Sequence, residues 1–133
     1  MRQKFYALSI ALIALLIVAA PLPAHHGYAA YDMTTKLTIK GTVTNFLLAN
    51  PHSQIALDVK NSAGNLEHWI IEDSNTVRGM RAGGWNFDSL KPGDEVTINY
   101  YPAKSGAHAG LIIDLTFPDG RVLPLKGSGE RVE

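Results

Sequence analysis

The chain has 133 residues, of which 46% are hydrophobic and 8% aromatic, and its 12 lysines and arginines balance its 12 aspartates and glutamates. This length fits one small domain with a single core, and a chain without a basic excess is a poor candidate for binding nucleic acid. The sequence contains no cysteine, which excludes disulfides and thiolate metal sites.

Residues 1–24 predict a secretory signal peptide. A short cationic start precedes an uncharged apolar run over 5–20, and two prolines then break the run before Ala24. The run is short for a membrane span, which needs about 20 apolar residues; an uncleaved N-terminal anchor is the alternative. We favour cleavage after Ala24, which makes His25 the first residue, over cleavage after Ala20. We therefore expect a periplasmic or secreted protein.

The remaining 109 residues divide into three further segments. They hold 10 basic and 12 acidic residues, a net charge of −2, because both charges of the signal are positive. We expect an N-terminal arm over 25–35 and a folded domain over 36–125. The polar, glycine-containing end over 126–133 is expected to be a disordered tail.

Alternation of apolar and polar residues predicts short strands separated by turns. The expected strands cover 36–48, 53–60, 65–72, 95–101, 111–117 and 121–125. A helix of two turns over 76–83, capped by Ser74 or Asn75, is expected after the third strand. Gly41 inside the first strand is typical of a bulge or a bend. This order predicts a mainly β protein, an OB-like barrel of five to six strands with one short helix; an open sandwich is the alternative.

The same alternation predicts which side chains of each strand point to the same face of the sheet. The residues expected to share a face are Leu37, Ile39 and Val43 in the first strand, Val96, Ile98 and Tyr100 in the fourth, and Leu111, Ile113, Leu115 and Phe117 in the fifth. Trp69 and Tyr100 are expected to pack in the core.

Histidines are the residues best suited to bind a ligand. All five follow the signal: His25, His26, His52, His68 and His108. An N-terminal histidine offers its amino nitrogen, whose pKa is near 7.7–8.0, and an imidazole nitrogen. A third nitrogen from another histidine would complete a planar set that suits Cu(II). We therefore predict a site for copper or another divalent metal among His25, His26, His52 and His108.

A metal-free interpretation of these residues remains open. The arm can be a solvated segment, and His52 can bond a backbone group in its proline-containing loop. In OB folds, the loops that hold His52 and His108 border the usual ligand surface. We expect His68, Trp85 and Tyr101 on that surface, where they would contact a protein or glycan of the cell envelope if no metal binds.

Catalytic patterns are weak in this sequence. No serine lies in a nucleophile context, and the glycine-rich segment over 79–84 lacks the order of a phosphate-binding loop. Glu72 and Asp73 precede Arg78 and Arg81, and we expect a structural ion pair there. The protein is thus expected not to be an enzyme. A copper-dependent oxidase is the alternative, although a barrel this small leaves little protein for a substrate cleft.

Several short motifs, in a fixed order, resemble those of a known family. The motifs are His25-His26, Asn50-Pro51-His52, the Trp69 and Glu72 pair, Gly84-Trp85 and Leu90-Lys91-Pro92-Gly93-Asp94. Together they are similar to small exported bacterial proteins grouped as a domain of unknown function, whose mature part opens with His-His. The match covers nearly all of 25–123.

The resemblance implies a periplasmic location and an OB-like barrel, and it implies no established activity. It also groups His25, His26 and His52 into one motif set. The chain departs from the family pattern at Gly27, where serine is usual, while Tyr28 and the residues that follow keep an aromatic and acidic character.

Overall fold

The computed structural model describes residues 27–125. The predicted signal over 1–24, His25, His26 and the predicted tail over 126–133 lie outside the described residues. The strands are β1 (Leu37–Leu47), β2 (Ser53–Lys60), β3 (Leu66–Asp73), β4 (Glu95–Pro102), β5 (Ala109–Thr116) and β6 (Val122–Pro124). A 3₁₀ turn covers Tyr28–Ala30, and one helix, α1, covers Val77–Ala82. Within 27–125, no helix is long and apolar enough to cross a membrane.

The first five strands close into a barrel. Neighbouring strands follow the order β3-β2-β1-β4-β5-β6, and all of these neighbours are antiparallel. A parallel pairing between β3 and β5, which aligns Ile70 with Ala109 and Glu72 with Leu111, closes the ring. β6 extends the sheet from β5 as an additional strand. The predicted OB-like barrel with a short helix between the third and fourth strands is confirmed, and the open sandwich is excluded.

A bend in β1 allows it to pair with a different strand in each of its halves. Its first half, up to Thr42, pairs with β4, and from Thr42 onward it pairs with β2. A Cβ atom on Gly41 would lie 2.9 Å from the Asp58 carbonyl oxygen and 3.0 Å from Val59 Cγ2. At Gly41, β1 and β2 therefore approach each other so closely that a side chain would not fit between them. The register shift lies just beyond this point, between Val43 and Asn45, so the bend predicted from Gly41 is confirmed.

The core fills the barrel and extends beneath α1. The residues with the least exposure include Val43, Leu57, Ile71, Trp85, Val96, Ile98, Ile112 and Leu115. Ile39, Tyr100 and Phe117 are also buried, and Trp69 packs against this cluster while partly buried. Most of the predicted inward-facing residues are thus confirmed.

Two inward predictions are wrong. Leu37 is the first residue of β1 and is 43% exposed. On β5 the buried residue is Ile112, at 2% exposure, whereas Ile113 is only half-buried. The reason is a register shift against β4: Asn99 pairs with Asp114 and Tyr100 with Ile112, so Ile113 is an extra residue that the alternation does not anticipate.

The helix begins one residue later than the sequence predicted. Its N-cap is Thr76, whose Oγ1 accepts a hydrogen bond from the Gly79 amide at 3.2 Å, and not Ser74 or Asn75. Asn50 Oδ1 accepts from the Val77 amide at 3.0 Å. The loop between β1 and β2, which holds Asn50-Pro51-His52, is therefore bound to the first turn of α1.

Candidate functional site

The described part of the N-terminal arm docks on the barrel. Tyr31 is 7% exposed and forms an isolated antiparallel bridge with Ala103, in the segment after β4. The Lys104 amide donates to the Ala30 carbonyl oxygen at 3.0 Å. The arm from Gly27 onward thus follows the loop between β4 and β5.

Glu72 anchors the arm to β3. The Tyr31 hydroxyl donates to Glu72 Oε2 at 2.7 Å, and Gln54 Nε2 donates to Glu72 Oε1 at 3.0 Å. Burial, followed by this hydrogen bond and the negative charge of Glu72, raises the pKa of Tyr31 well above its ordinary value. Tyr31 therefore stays protonated at neutral pH and remains a hydrogen-bond donor.

A second contact fixes the start of the arm near the end of β3. The Ser74 hydroxyl donates to the Tyr28 hydroxyl oxygen at 3.0 Å. The predicted ligands His25 and His26 directly precede Gly27 in the sequence and lie outside the described residues.

His52 belongs to the same end of the sheet. In the β2–β3 ladder Ser53 is paired with Asp73. His52 precedes Ser53 and Ser74 follows Asp73, so both continue this end of the ladder. His52 is half-buried.

Asp73 is the buried carboxyl group of this region. It is 4% exposed; its Oδ1 accepts hydrogen bonds from the amide and Nδ2 of Asn75, both at 2.9 Å. Its Oδ2 is buried and has no hydrogen-bond partner among the described residues. Burial raises the pKa of Asp73, and the hydrogen bonds from Asn75 and the charge of His52 oppose this effect only in part.

The role of Asp73 differs from the predicted one. The sequence predicts a structural ion pair between Glu72 or Asp73 and Arg78 or Arg81. In the structure Glu72 binds the arm, and the Arg81 guanidinium lies 4.8 Å from the centre of an exposed phenylalanine ring. The sequence does contain a signal for the burial of Asp73: it follows Ile71 by two residues, so both side chains lie on the inward face of β3.

His108 lies elsewhere on the barrel. Its ring stacks on Trp69, with centroids 4.9 Å apart and planes 9° apart, and its Nε2 lies 3.7 Å from Glu67 Oε2. Trp69 is five residues from Ser74 along the chain, roughly 16 Å if extended. The structure therefore does not bring His108 together with His52. Over the described range, no three histidine or acidic side chains form a group that could hold a metal ion.

The predicted ligand surface also needs correction. His68 is exposed on β3, with its Nδ1 2.5 Å from Asp58 Oδ1, and Tyr101 is half-buried on β4. Trp85, by contrast, is 1% exposed and packs in the core, 5.8 Å from the Phe46 ring centre. Trp85 does not belong to a surface because its large ring packs within the core cluster.

The outer face of the sheet has an open groove that the sequence did not predict. Its volume is about 570 Å³. The lining residues are Lys40, Gly41, Thr42, Asp58, Lys60, Leu66 and Glu95. Charges of both signs line it, and Lys40 Nζ lies 3.7 Å from Glu95 Oε2. The groove therefore has no strong preference for a ligand of one charge.

Comparison with known proteins identifies the family. The model of the Family of unknown function (DUF6152) matches residues 13–113, more than half of the chain. The chain belongs to this family. The resemblance drawn from the short motifs is thus confirmed, and the matched range of DUF6152 includes the double histidine and Asn50-Pro51-His52. A search of curated proteins found no match.

Proposed function

We propose that this DUF6152 protein is an exported periplasmic binding module that holds copper, or a similar divalent ion, through His25, His26 and His52. The docked arm is the observation that supports this proposal. Tyr28 contacts Ser74, and Ser74 continues the end of the ladder at which His52 lies. His26 precedes Tyr28 by two positions in the sequence, and the proposal requires it to reach His52 from there.

The chemistry of the chain end favours a metal over a simple hydrogen-bond network. Cleavage after Ala24 would leave His25 with a free amine, which loses its proton far more readily than a lysine. The amine and the His25 imidazole provide two nitrogens, and His52 provides a third. A tetragonal nitrogen set of this kind suits Cu(II). Storage, delivery or sensing of the ion are the roles that this arrangement would support.

The test is a Cu(II) titration of the mature protein beginning at His25, in competition with a chelator of known affinity. We expect His52→Ala to reduce copper affinity more than tenfold. His68→Ala is the matched control, because His68 is exposed and paired with Asp58 on another part of the sheet. An affinity unchanged by His52→Ala would remove His52 from the site.

A second variant tests the amine. One residue added before His25 moves the amino group away while leaving every side chain in place. We expect this extension to weaken binding as much as His25→Ala does. Equal affinity with and without the extra residue would contradict ligation by the amine.

A second candidate function is an interaction module for a protein or glycan of the cell envelope. The observation that favours it is the outward face of β3, where Leu66 is 58% exposed and Ile70 38% exposed on either side of His68. Crosslinking in the periplasm from a photoreactive residue at position 66 or 70 tests this function. A defined partner captured at both positions, by a protein that does not bind copper, would favour it over the metal site.

A further inference from the structure

The first half of β1 has an edge that no described strand covers. Residues Leu37 to Thr42 pair with β4, whereas pairing with β2 begins only at Thr42, opposite Asp58. On the side away from β4, the edge from Leu37 to Gly41 therefore pairs with no strand in the described part of the chain. The open groove on the outer face lies where β1 turns away from β2, and residues of both strands line it.

Backbone groups of this edge point into the groove. The Val43 amide donates to the Asp94 carbonyl oxygen, and the Val43 carbonyl oxygen accepts from the Gly93 amide, both at 2.8 Å. Successive residues of an antiparallel strand direct these groups to opposite sides, and the β1–β4 register is unbroken before this point. Since the backbone of Val43 faces the β4 side, the amides and carbonyls of Thr38 and Lys40 face away from β4.

The groove also presents one ammonium group without an ionic partner. Lys40 is paired with Glu95, and Asp58 is paired with a histidine. Lys60 is exposed and forms no ion pair within residues 27–125. Leu66, across the ladder from Lys60, is 58% exposed. Beside the free edge, the groove therefore offers a cation for one carboxylate and a surface for one apolar side chain.

We propose that this groove binds an extended peptide segment of a partner protein, which adds a strand to the free edge of β1. In this mode of recognition, main-chain hydrogen bonds give affinity and alternate side chains give selectivity. The segment carries one carboxylate for Lys60 and an apolar side chain for Leu66, and is otherwise close to neutral, because the remaining charges of the groove are balanced. This inference goes beyond the copper proposal, and it gives the second candidate function a site and a class of partner.

Charge favours such a segment over a second copy of the chain. Two copies that paired through this edge would run antiparallel about a two-fold axis. The exposed Lys36 and Lys40 of the two copies would then lie near one another. Like charges on neighbouring strands destabilise the pairing, and lysine on an edge strand is a common protection against self-association.

The probe is the end-blocked heptapeptide Thr-Leu-Thr-Glu-Thr-Leu-Thr, in which alternation places leucine and glutamate on one face of an extended strand. It is labelled with fluorescein and titrated by anisotropy against the mature chain beginning at His25, with a metal chelator present. We expect saturable binding with a Kd below about 1 mM. Lys60→Gln, or glutamine in place of the peptide glutamate, should each weaken binding about two- to fivefold, as for exposed ion pairs. The two changes together should weaken it no further.

Lys40→Pro tests the edge itself. Proline removes the amide that points into the groove and leaves the hydrogen bonds between β1 and β4 in place. We expect it to weaken peptide binding roughly tenfold, whereas the matched control Lys40→Ala, which keeps the amide, loses much less. Hydrogen exchange of the wild type covers the case in which Lys40→Pro fails to fold. Saturating peptide should slow exchange of the Lys40 amide and leave that of Gly41, which faces β4, unchanged.

The outcomes decide the inference separately from the copper proposal. A heptapeptide that does not bind overturns it, as does binding that leaves the Lys40 amide unprotected. A dimer in sedimentation equilibrium that Lys40→Pro dissociates would assign the edge to a second copy and overturn the peptide as its occupant. We expect His52→Ala to bind the peptide as the wild type does. A chain that binds the peptide but no copper therefore overturns only the copper proposal, and the reverse result overturns only this inference.

Discussion

Docking of the N-terminal arm should depend on the hydroxyl group of Tyr31. Tyr31→Phe keeps the buried ring and removes the 2.7 Å hydrogen bond to Glu72 Oε2. Hydrogen bonds to charged groups contribute about 1.5–3 kcal/mol. Glu72 keeps its bond from Gln54, so we expect a loss at the lower end, about 1.5 kcal/mol. That is about a tenfold increase in the undocked fraction, since about 1.4 kcal/mol is a factor of ten.

Amide hydrogen exchange measures this change directly. The Lys104 amide donates to the Ala30 carbonyl oxygen of the arm at 3.0 Å, so its protection reports docking. We expect Tyr31→Phe to lower that protection about tenfold, in line with a loss near 1.5 kcal/mol. Tyr28→Phe is the control. It removes a neutral hydrogen bond at 3.0 Å between exposed groups, a loss of about 0.5 kcal/mol. Equal protection of Lys104 in Tyr31→Phe and the wild type would refute the role assigned to Glu72.

Two further predictions concern the fold and the pH dependence of stability. Gly41→Ala should lower the urea midpoint, because the new Cβ would lie 2.9 Å from the Asp58 carbonyl oxygen. Gly27→Ala, where nothing lies within 4 Å, should leave the midpoint unchanged, and equal effects of the two would contradict the close approach at the bend. Hydrogen bonds, led by that from the Thr34 side chain, lower the pKa of Asp32 from 3.8 to about 2. Its stabilising contribution is therefore present above about pH 4 and is lost as the pH falls through about 2, so the melting temperatures of Asp32→Asn and wild type should differ at neutral pH and converge near pH 2. A difference that stays constant with pH would contradict this assignment.

The barrel could be predicted because its signals are local. Alternation within each strand gave the faces of β2 and β4, and Gly41 marked the bend in β1. The face of β5 was predicted wrongly at Ile113, because the register shift against β4 depends on a strand pairing and not on the local pattern. The burial of Trp85 likewise depends on tertiary contacts, with Phe46 of β1 and the rest of the core, which alternation does not report.

The candidate site was predicted only in part. The motif Asn50-Pro51-His52 leads to the prediction of His52 as a ligand, but docking of the arm depends on Tyr31 and Glu72, which are 41 residues apart in the chain. Asp73 was assigned to an ion pair because arginines follow it in sequence. Asp73 is enclosed because the β2–β3 ladder pairs it with Ser53. Contacts between residues this far apart in the sequence form only in the folded chain.

Copper binding by the mature N-terminus is tested most directly with protein exported to the periplasm through its own signal. The intact mass of the mature chain is recorded, and the protein is then titrated with Cu(II) while the copper EPR spectrum is followed. We expect the mass of a chain that begins at His25 and a stoichiometric, tetragonal, nitrogen-rich copper signal that saturates at one ion per chain. A chain that begins elsewhere, or copper that binds only weakly at several positions, would contradict this expectation.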